Sequence, residues 1–524
     1  MHVCLRVDEI LRLVACELVG SEANATAVAL ACSCKSFEDP ALDVVWETQG
    51  RLLWLLKSLP GYVWDGDVCT VSTPIAYVLF FLNHLDQKIF KRLPTTFKWA
   101  RFRKYARRMR MLTEPGAPDS LSPEVFAVLQ SHVINEPLFP NLKSLDLWAT
   151  VGEFIPFIPS LLSPTTAVIT ITFGELDDPP SAAVASMITT FAALCPNLQE
   201  ISLYPLPRDP RITAAVSEFL LTTNGDALRC FRVDSPLTEE AREVVYKLPG
   251  LRKLWVVVEG TTSVPTMVLP NITRIEVDYN RTHDWLQGFR GAKLGRLNSV
   301  TFCAISKPGA FLEEFQTVAL TTSAPNTLSA FHFHTSHSWN PNYSSLLAFE
   351  QLTELKIDFS CRNGCSSRVD DDIVISLARA MPKLETLRLG KLPCGTPTGV
   401  TFKGLIALAC RCLQLYELRI HFRANSLVEV ITSGESPSPS KRAAAIPPTD
   451  CMLAYLHVGE IPIPEGSALA VALTLLQIFP HISNIYSVNP EWWSVAETIK
   501  LFNRIGGHVR HASKTHLPHL LNDP

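Results

Sequence analysis

Residues 139–147 read FPNLKSLDL, residues 195–203 read CPNLQEISL and residues 381–389 read MPKLETLRL. Each holds an apolar residue, two others, an apolar residue, one other and a final apolar residue. The alternation at the end is the period of a strand with one buried face. Further copies begin at Leu228, Leu251, Ile272, Leu297, Leu328, Leu352 and Leu415, with weaker ones at Leu453 and Ile482 and a partial one that ends at Ile169 and Ile171. The pattern predicts a strand that recurs along most of the chain.

The spacing of these copies is that of a repeat architecture. Successive copies start between 21 residues apart, from Leu251 to Ile272, and 38 residues apart, from Leu415 to Leu453. One longer gap of 56 residues follows Leu142 and holds the partial copy. A period of about 20 to 30 residues around a short strand is typical of leucine-rich repeats, whose units stack because none can bury its apolar face alone.

The segments between the strands carry helical patterns. Apolar residues recur at steps of three and four, for example at Ile373, Leu377 and Met381. Thr238 and Asp370 precede two such segments and are expected to cap the helices, because their side-chain oxygens accept from free backbone N–H groups. The predicted fold class is therefore α/β: a leucine-rich-repeat solenoid over residues 136–505, with concave parallel strands and outer helices.

The composition excludes several classes of protein. The 524 residues contain 47 Lys and Arg against 50 Asp and Glu, and the net charge of -3 argues against a globally basic nucleic-acid binder. A hydrophobic content of 47% is not that of a disordered chain, and 14 cysteines are too few for a disulfide scaffold. The longest apolar stretches, residues 75–82 and 468–479, are shorter than the roughly 20 residues of a membrane span, and no secretory signal pattern is present. We expect no membrane contact and a location in the cytoplasm or the nucleus.

Residues 1–48 form a predicted helical module that differs from the repeats. Ile10, Leu11, Val14 and Leu18 are expected on one face of a first helix, and two further helical segments follow. Three such helices have too small a core to be stable alone, so the module should pack on the rest of the chain or on a partner.

This module resembles the F-box. The residues that carry the resemblance are Leu5, Glu9, Ile10, Leu11, Leu18, Val28, Ala29, Leu30, Ala31, Cys32, Lys35, Phe37, Leu42 and Trp46. An F-box followed by leucine-rich repeats is similar to a protein family that is expanded in basidiomycete fungi. The resemblance implies that the F-box docks on the Skp adaptor of a cullin-RING ubiquitin ligase, that the repeats hold the protein to be ubiquitinated, and that the chain itself performs no chemistry.

The same resemblance implies a set of candidate adaptor contacts. These are Leu5, Ile10, Leu11, Leu30, Cys34, Phe37, Leu42 and Trp46. The sequence does not separate the residues that face the adaptor from those that face the core of the module, and we expect a mixture of the two. The alternative is that these residues only cap the first repeat, since the end of a solenoid needs an amphipathic cover.

Residues 49–135 are predicted to form a helical connector that contains a basic stretch. Lys88 to Arg110 holds ten basic residues and no acidic ones, with aromatic residues among them, a composition that by itself suggests nucleic-acid binding. However, Trp99, Phe102, Ala106 and Met109 recur at helical steps, which favours a helix with one buried stripe. The cations that this helix would leave largely solvated are Arg101, Lys104, Arg107, Arg108 and Arg110. Nucleic acid is therefore not expected as a partner.

In each repeat strand the residue between the last two apolar positions is expected to face out of the concave surface. In chain order these residues are Asp146, Ser202, Arg232, Trp255, Glu276, Thr301, His332, Lys356, Arg388, Arg419, His457 and Tyr486. The later half is basic and would favour an acidic or phosphorylated partner, unless the face is simply solvated. The candidate partner-binding residues are Trp255, His332, His334, Lys356, Arg388, Arg419 and His457.

Signals for chemistry are few. The chain contains no HExxH, GxxxxGK[ST], GxSxG or GxGxxG motif, so we predict no catalytic residue, no cofactor and no enzymatic activity. Two groups of residues could hold a metal, but neither has convincing ligand spacing, and no metal is expected. They are Cys361, Cys365, Cys410 and Cys412, and His332, His334 and His337.

Two segments interrupt or follow the repeats. Residues 432–449, TSGESPSPSKRAAAIPPT, are predicted to form a surface loop in which Ser436 and Ser438 each precede a proline. Residues 506–524 are predicted to be a flexible tail.

The sequence leaves two main functions and one weaker one open. The first is a substrate-recognition subunit of a ubiquitin ligase, and the second is a leucine-rich-repeat scaffold or inhibitor without a role in ubiquitination. The third and weaker one is a nucleic-acid binder that uses Lys88 to Arg110, and it predicts an affinity for nucleic acid that falls steeply with salt. Only the first requires the N-terminal fifty residues for capture of its partner.

Overall fold

The computed structural model describes most of the chain. The described residues are 7–20, 24–58, 64–65, 89–90, 96–114, 123–131, 137–149, 152–174, 180–258, 267–279, 286, 292, 294–304, 311–320, 324–337, 339, 341–359, 369–390, 399–424, 450–459, 461–463 and 465–515. They belong to two compact units, residues 1–257 (unit 1) and residues 258–524 (unit 2).

Unit 1 begins with three helices and continues as a series of strands and returns. Its helices are α1 (Asp8–Gly20), α2 (Asn24–Ser33), α3 (Lys35–Glu47), α4 (Leu52–Leu56), α5 (Thr96–Ala106), α6 (Pro123–Ser131), α7 (Ile158–Leu161), α8 (Ser181–Leu194), α9 (Pro210–Thr222) and α10 (Glu239–Val245), with a 3-10 helix at Gly152–Phe157. Its strands are β1 (Thr48–Gln49), β2 (Trp64–Asp65), β3 (Ile89–Phe90), β4 (Met111–Glu114), β5 (Ser144–Ala149), β6 (Val168–Phe173), β7 (Glu200–Tyr204), β8 (Cys230–Pro236) and β9 (Lys253–Val258).

Seven strands of unit 1 form a parallel sheet in the order β1-β4-β5-β6-β7-β8-β9. The register places the first buried residue of each strand beside the first buried residue of the next strand, as in Leu145, Ile169 and Ile201. Strands β2 and β3 form a separate antiparallel pair.

Unit 2 repeats the same construction. Its helices are α11 (Phe311–Ala319), α12 (Ala324–Thr327), α13 (Asp371–Ala380), α14 (Phe402–Arg411), α15 (Ala468–Ile478) and α16 (Glu491–Thr515), with a 3-10 helix at Tyr343–Leu346. Its strands, all parallel and in chain order, are β10 (Arg274–Tyr279), β11 (Ser299–Ala304), β12 (Ala330–Thr335), β13 (Glu354–Phe359), β14 (Thr386–Leu389), β15 (Glu417–Arg419), β16 (Tyr455–His457) and β17 (Asn484–Tyr486).

Stacking of the repeats has a simple hydrogen-bond basis. The carbonyl before each strand accepts two N–H groups from the next repeat: the Lys143 oxygen accepts from Ala167 N at 2.8 Å and Val168 N at 3.0 Å. The Ala167 oxygen does the same for Gln199 and Glu200 one repeat later. Each strand start is therefore anchored to its predecessor, and the apolar side chains on the inner face are buried as continuous rows.

The predicted α/β class and the parallel repeat strands are confirmed. Strands β5 to β17 fall at the thirteen places where the pattern predicts them. The predicted connector is not only helical, because β1 and β4 lie within or beside it and already belong to the sheet. Strand β4 escapes the pattern because Glu114 stands where the pattern has its final apolar residue, opposite Leu147 of β5. Helix α16 extends to Thr515 and so reaches into the range predicted as a tail.

Some predictions fall outside the described residues. These concern Leu5, Cys361, Cys365 and the insertion 432–449.

Candidate functional site

The three-helix module, α1 to α3, encloses a small core of its own. The core residues are Ala15, Ala31, Ala41 and Val44, with Leu30 and Leu42 packed against them. Leu11 is also buried, with 2% of its surface exposed. Of the candidate adaptor contacts, Leu30 and Leu42 therefore pack against the core of the module, and Leu11 is buried within unit 1.

Helix α1 carries a second apolar stripe that the module leaves exposed. Its members are Val7, Ile10, Leu13 and Val14, here called the α1 apolar face. Leu13 is the most exposed of them at 67%, and Val28 of α2 is exposed as well. The structure thus presents apolar surface on the module at positions that the sequence reasoning mostly missed.

The predicted apolar face of α1 divides by burial. Leu11 and Ala15 are buried, while Ile10 and Val14, which were expected to share a face with Leu11, are exposed. Residues four apart lie on one helix face, so these two pairs mark two different stripes. The signal was present in the sequence, because α1 has more apolar residues than one face can hold.

The other predicted adaptor residues are held by contacts inside unit 1. Trp46 stacks on Tyr105 of α5, with ring centroids 4.7 Å apart and planes at 21°. Cys34 precedes α3, and its sulfur lies 3.1 Å from Ser36 Oγ. Phe37 is half-buried. Of the predicted set, only Ile10 is exposed within the part of the chain that the structure describes.

The basic stretch packs through the stripe that its sequence predicts. Trp99, Phe102, Ala106 and Met109 are all buried, so the structural interpretation of this segment is confirmed. The expected solvation of its cations is wrong for Arg108, whose side chain is only 13% exposed.

Acidic residues of α3 meet these cations. Lys104 Nζ lies 2.8 Å from Glu38 Oε1, and Arg108 donates to both Asp39 and Asp43. Arg12 of α1 pairs with Glu47 at 2.8 Å. Two cations of the basic stretch, Lys104 and Arg108, are therefore neutralised by carboxylates within unit 1 and contribute less to the attraction of nucleic acid.

The face of each sheet that carries the residues between the buried strand positions is here called the open face. On the open face of unit 1, the Arg232 guanidinium lies between two rings, with Cζ 4.8 Å from the Tyr204 centroid and 4.6 Å from the Trp255 centroid. The predicted hot spot Trp255 is thus part of an aromatic–arginine cluster, Tyr204, Arg232 and Trp255. Asp146 lies on the same face, and burial raises the pKa of its carboxyl.

On the open face of unit 2 the predicted basic row exists and is continuous. His332, Lys356, Arg388, Arg419 and His457 pair in register across β12 to β16. His334 is exposed on the same face as His332, as the alternation predicts.

The cations of this row are paired with carboxylates of neighbouring positions. Glu354 Oε2 lies 2.8 Å from Lys356 Nζ and 2.9 Å from His332 Nε2. Although burial acts to raise the pKa of Glu354, hydrogen bonds from Lys356 and His332 lower it. Burial lowers the pKa of His332, as does the charge of Lys356, so this ring is neutral at pH 7.

The next two arginines are paired in the same way. Glu417 Oε1 lies 2.8 Å from both Nε and Nη2 of Arg388, and Asp358 Oδ1 lies 3.5 Å from Arg419 Nη1. The sequence analysis missed Glu354, Glu417 and Asp358, although the same period of two puts them on the open face. The row is therefore a network of mixed charge and not a free cationic surface.

The two candidate metal clusters are only partly described by the structure, because Cys361 and Cys365 lie outside the described residues. Within the described residues, no three His, Cys, Asp or Glu side chains converge on a point that a metal could occupy. Burial raises the pKa of the Cys412 thiol to about 12 and that of Cys451 to about 11. These thiols are consequently unreactive at neutral pH.

The chain matches no protein-family model, and a search of curated proteins found no match. None of the helices in the described ranges combines the length and apolarity needed to cross a bilayer.

Proposed function

We propose that the chain is the substrate-recognition subunit of a cullin-RING ubiquitin ligase and acts in the cytoplasm or the nucleus. The three-helix module would dock on the Skp adaptor, and the repeats would hold the target protein. The proposal starts from the resemblance of the module to the F-box. The observation that best supports it is the α1 apolar face, because four apolar side chains left in water on so small a module are expected to be covered by a partner.

For the target protein, we propose that the main contact is the aromatic–arginine cluster of Tyr204, Arg232 and Trp255. Aromatic and arginine side chains dominate the binding energy of most protein interfaces. An acidic or phosphorylated target at the basic row of unit 2 would instead have to compete with Glu354, Glu417 and Asp358.

Leu13→Asp tests the adaptor proposal. A carboxylate at the centre of an apolar interface would lose its water without gaining a partner, so we expect capture of the Skp adaptor to fall at least about tenfold. The measurement is co-purification of the full chain with the adaptor of its own organism.

The matched control is Leu469→Asp, which makes the same change at another exposed leucine, 55% exposed on α15 of unit 2. Both variants should retain the circular dichroism spectrum and the thermal midpoint of the wild type. Equal loss in both variants, or no capture by a folded wild type, would contradict the adaptor proposal and favour a scaffold or inhibitor. Leu11 is unsuitable for this experiment, because it belongs to the interior of the module.

A further inference from the structure

A charged cavity lies in unit 1 where α1 and α3 meet the turn that follows α5. Its volume is about 240 Å³. The residues that line it are Arg12, Asp43, Glu47, Lys104, Arg107, Arg108 and Arg110. Five of these side chains are cationic and two are acidic. Glu38 and Asp39, outside the lining, also pair with Lys104 and Arg108, so the lining residues and these two partners together carry a net charge of +1.

The backbone that holds these cations is fixed by neighbouring elements. Arg110 N donates to Glu47 O at 2.9 Å, beside the pairing of β4 with β1. The Arg110 oxygen accepts from Lys143 N at 2.7 Å, and Asn141 Nδ2 donates to the Arg107 oxygen at 2.7 Å. The cations are therefore presented by ordered backbone, which reduces the entropy that a ligand must overcome when it orders its site.

The internal ion pairs leave part of the positive charge uncompensated. Glu47 forms an ion pair with Arg12, and Asp43 forms one with Arg108. The Arg110 guanidinium instead donates to the carbonyl of Asn141 at 3.3 Å, and among the described residues no carboxylate forms an ion pair with it. A ligand in the cavity would thus meet an arginine whose charge is not yet neutralised.

We propose that this cavity binds a phosphate group. A lining made only of charged side chains offers nothing to an apolar ligand, and its net charge repels cations. A phosphate brings about two negative charges and several acceptor oxygens, two of which the planar fork of Arg110 can engage at once. The volume equals that of roughly eight waters, enough for a phosphate or pyrophosphate that keeps part of its hydration. The proposal does not depend on the ligase role.

The test is isothermal titration calorimetry of the full chain with inorganic pyrophosphate at low ionic strength. We expect saturable binding at one site. Arg110→Gln should weaken it about tenfold, the loss expected for one charge-assisted contact. The matched control is Arg101→Gln, since Arg101 is exposed on α5 and does not line the cavity. Arg107→Gln is the second variant, should loss of Arg110 disturb the fold.

Two further arms separate the sources of the phosphate group. A peptide with one phosphoserine and its unphosphorylated form are titrated in the same way. Binding of pyrophosphate alone assigns a free oxyanion, and binding of the phosphoserine peptide but not its parent assigns a phosphorylated partner. Failure of both probes to bind would overturn the proposal. The proposal would also be overturned if Arg101→Gln and Arg110→Gln weakened the binding of pyrophosphate equally, or weakened the binding of a DNA duplex equally. Either result would indicate a diffuse cationic surface.

Discussion

His421 is a single residue in an unfavourable environment on the open face of unit 2. Both ring nitrogens are buried and form no hydrogen bond. The ring lies over Gly459, where a Cβ atom would overlap with it. Burial lowers the pKa of His421 to about 4, because the protonated ring would have no partner for its charge. The residue therefore makes unit 2 sensitive to acid.

The direction of this pH dependence follows from the protonation of His421 in the unfolded and the folded chain. The unfolded chain takes up the proton as the pH falls below about 6.5, whereas the folded chain resists until about pH 4. Between about pH 7.5 and pH 5, the wild type should therefore lose about 2 kcal/mol more unfolding free energy than His421→Leu. Urea unfolding at both pH values measures this difference. His481→Leu, at an exposed position, should behave as the wild type, and equal pH dependence in all three proteins would refute the assignment.

At the scale of elements, one carboxylate joins two successive helices of unit 2. Asp371 lies in the first turn of α13, yet its Oδ1 accepts from Thr401 N at 2.8 Å and Gly404 N at 2.9 Å at the start of α14. Its Oδ2 accepts from the Thr401 hydroxyl at 2.7 Å. Asp370, by contrast, caps its own helix by accepting from Ile373 N at 3.0 Å, as predicted.

We expect Asp371→Ala to destabilise unit 2 by about 2 kcal/mol, because it leaves donors at the start of α14 without their acceptor. The next acidic residue, Asp372, is exposed, and Asp372→Ala should cost no more than about 0.5 kcal/mol. Thermal unfolding of the two variants under identical conditions makes the comparison. Similar midpoints would show that the bridge between the helices does not contribute to stability.

The compact unit is the largest scale that the structure defines. Within unit 1, ion pairs attach the three-helix module to the repeats. Cations of α5 and the following turn face acidic residues of α3, and the stacking of Trp46 on Tyr105 lies beside them. The chain as a whole is nearly neutral, but these local charges are sorted by sign onto facing elements. Electrostatic attraction and one aromatic contact thus supplement a module core that is too small by itself.

Arg108→Ala should loosen this attachment, because it removes the shared partner of Asp39 and Asp43. We expect amide hydrogen exchange in α3 to accelerate about tenfold while exchange in β5 to β9 stays unchanged. Hydrogen-exchange mass spectrometry resolves these segments. Arg101→Ala provides the control, and equal acceleration throughout unit 1 would mean that Arg108 supports the whole unit instead.

The repeats illustrate what can be read without a structure. The positions of β5 to β17 and the row from His332 to His457 follow from an alternation of period two, which each strand carries within a few residues. Strand β4 was missed because Glu114 replaces the final apolar residue of the pattern, although Met109 and Leu112 are buried at the first two positions. The carboxylates of the open face were missed because only one position of each strand was considered, although the same alternation places Glu354 and Glu417 there.

The sequence by itself determined the α/β class, the positions of strands β5 to β17 and the buried stripe of α5. These depend on periodicity, which is local and is enforced by burial of every apolar face. Only the tertiary structure decided which stripe of α1 remains exposed, which carboxylate neutralises each cation, and that Arg107 and Arg110 line a cavity. The physical reason is that pairing and burial depend on elements that lie far apart in the chain, and a local pattern carries no information about which of them will meet.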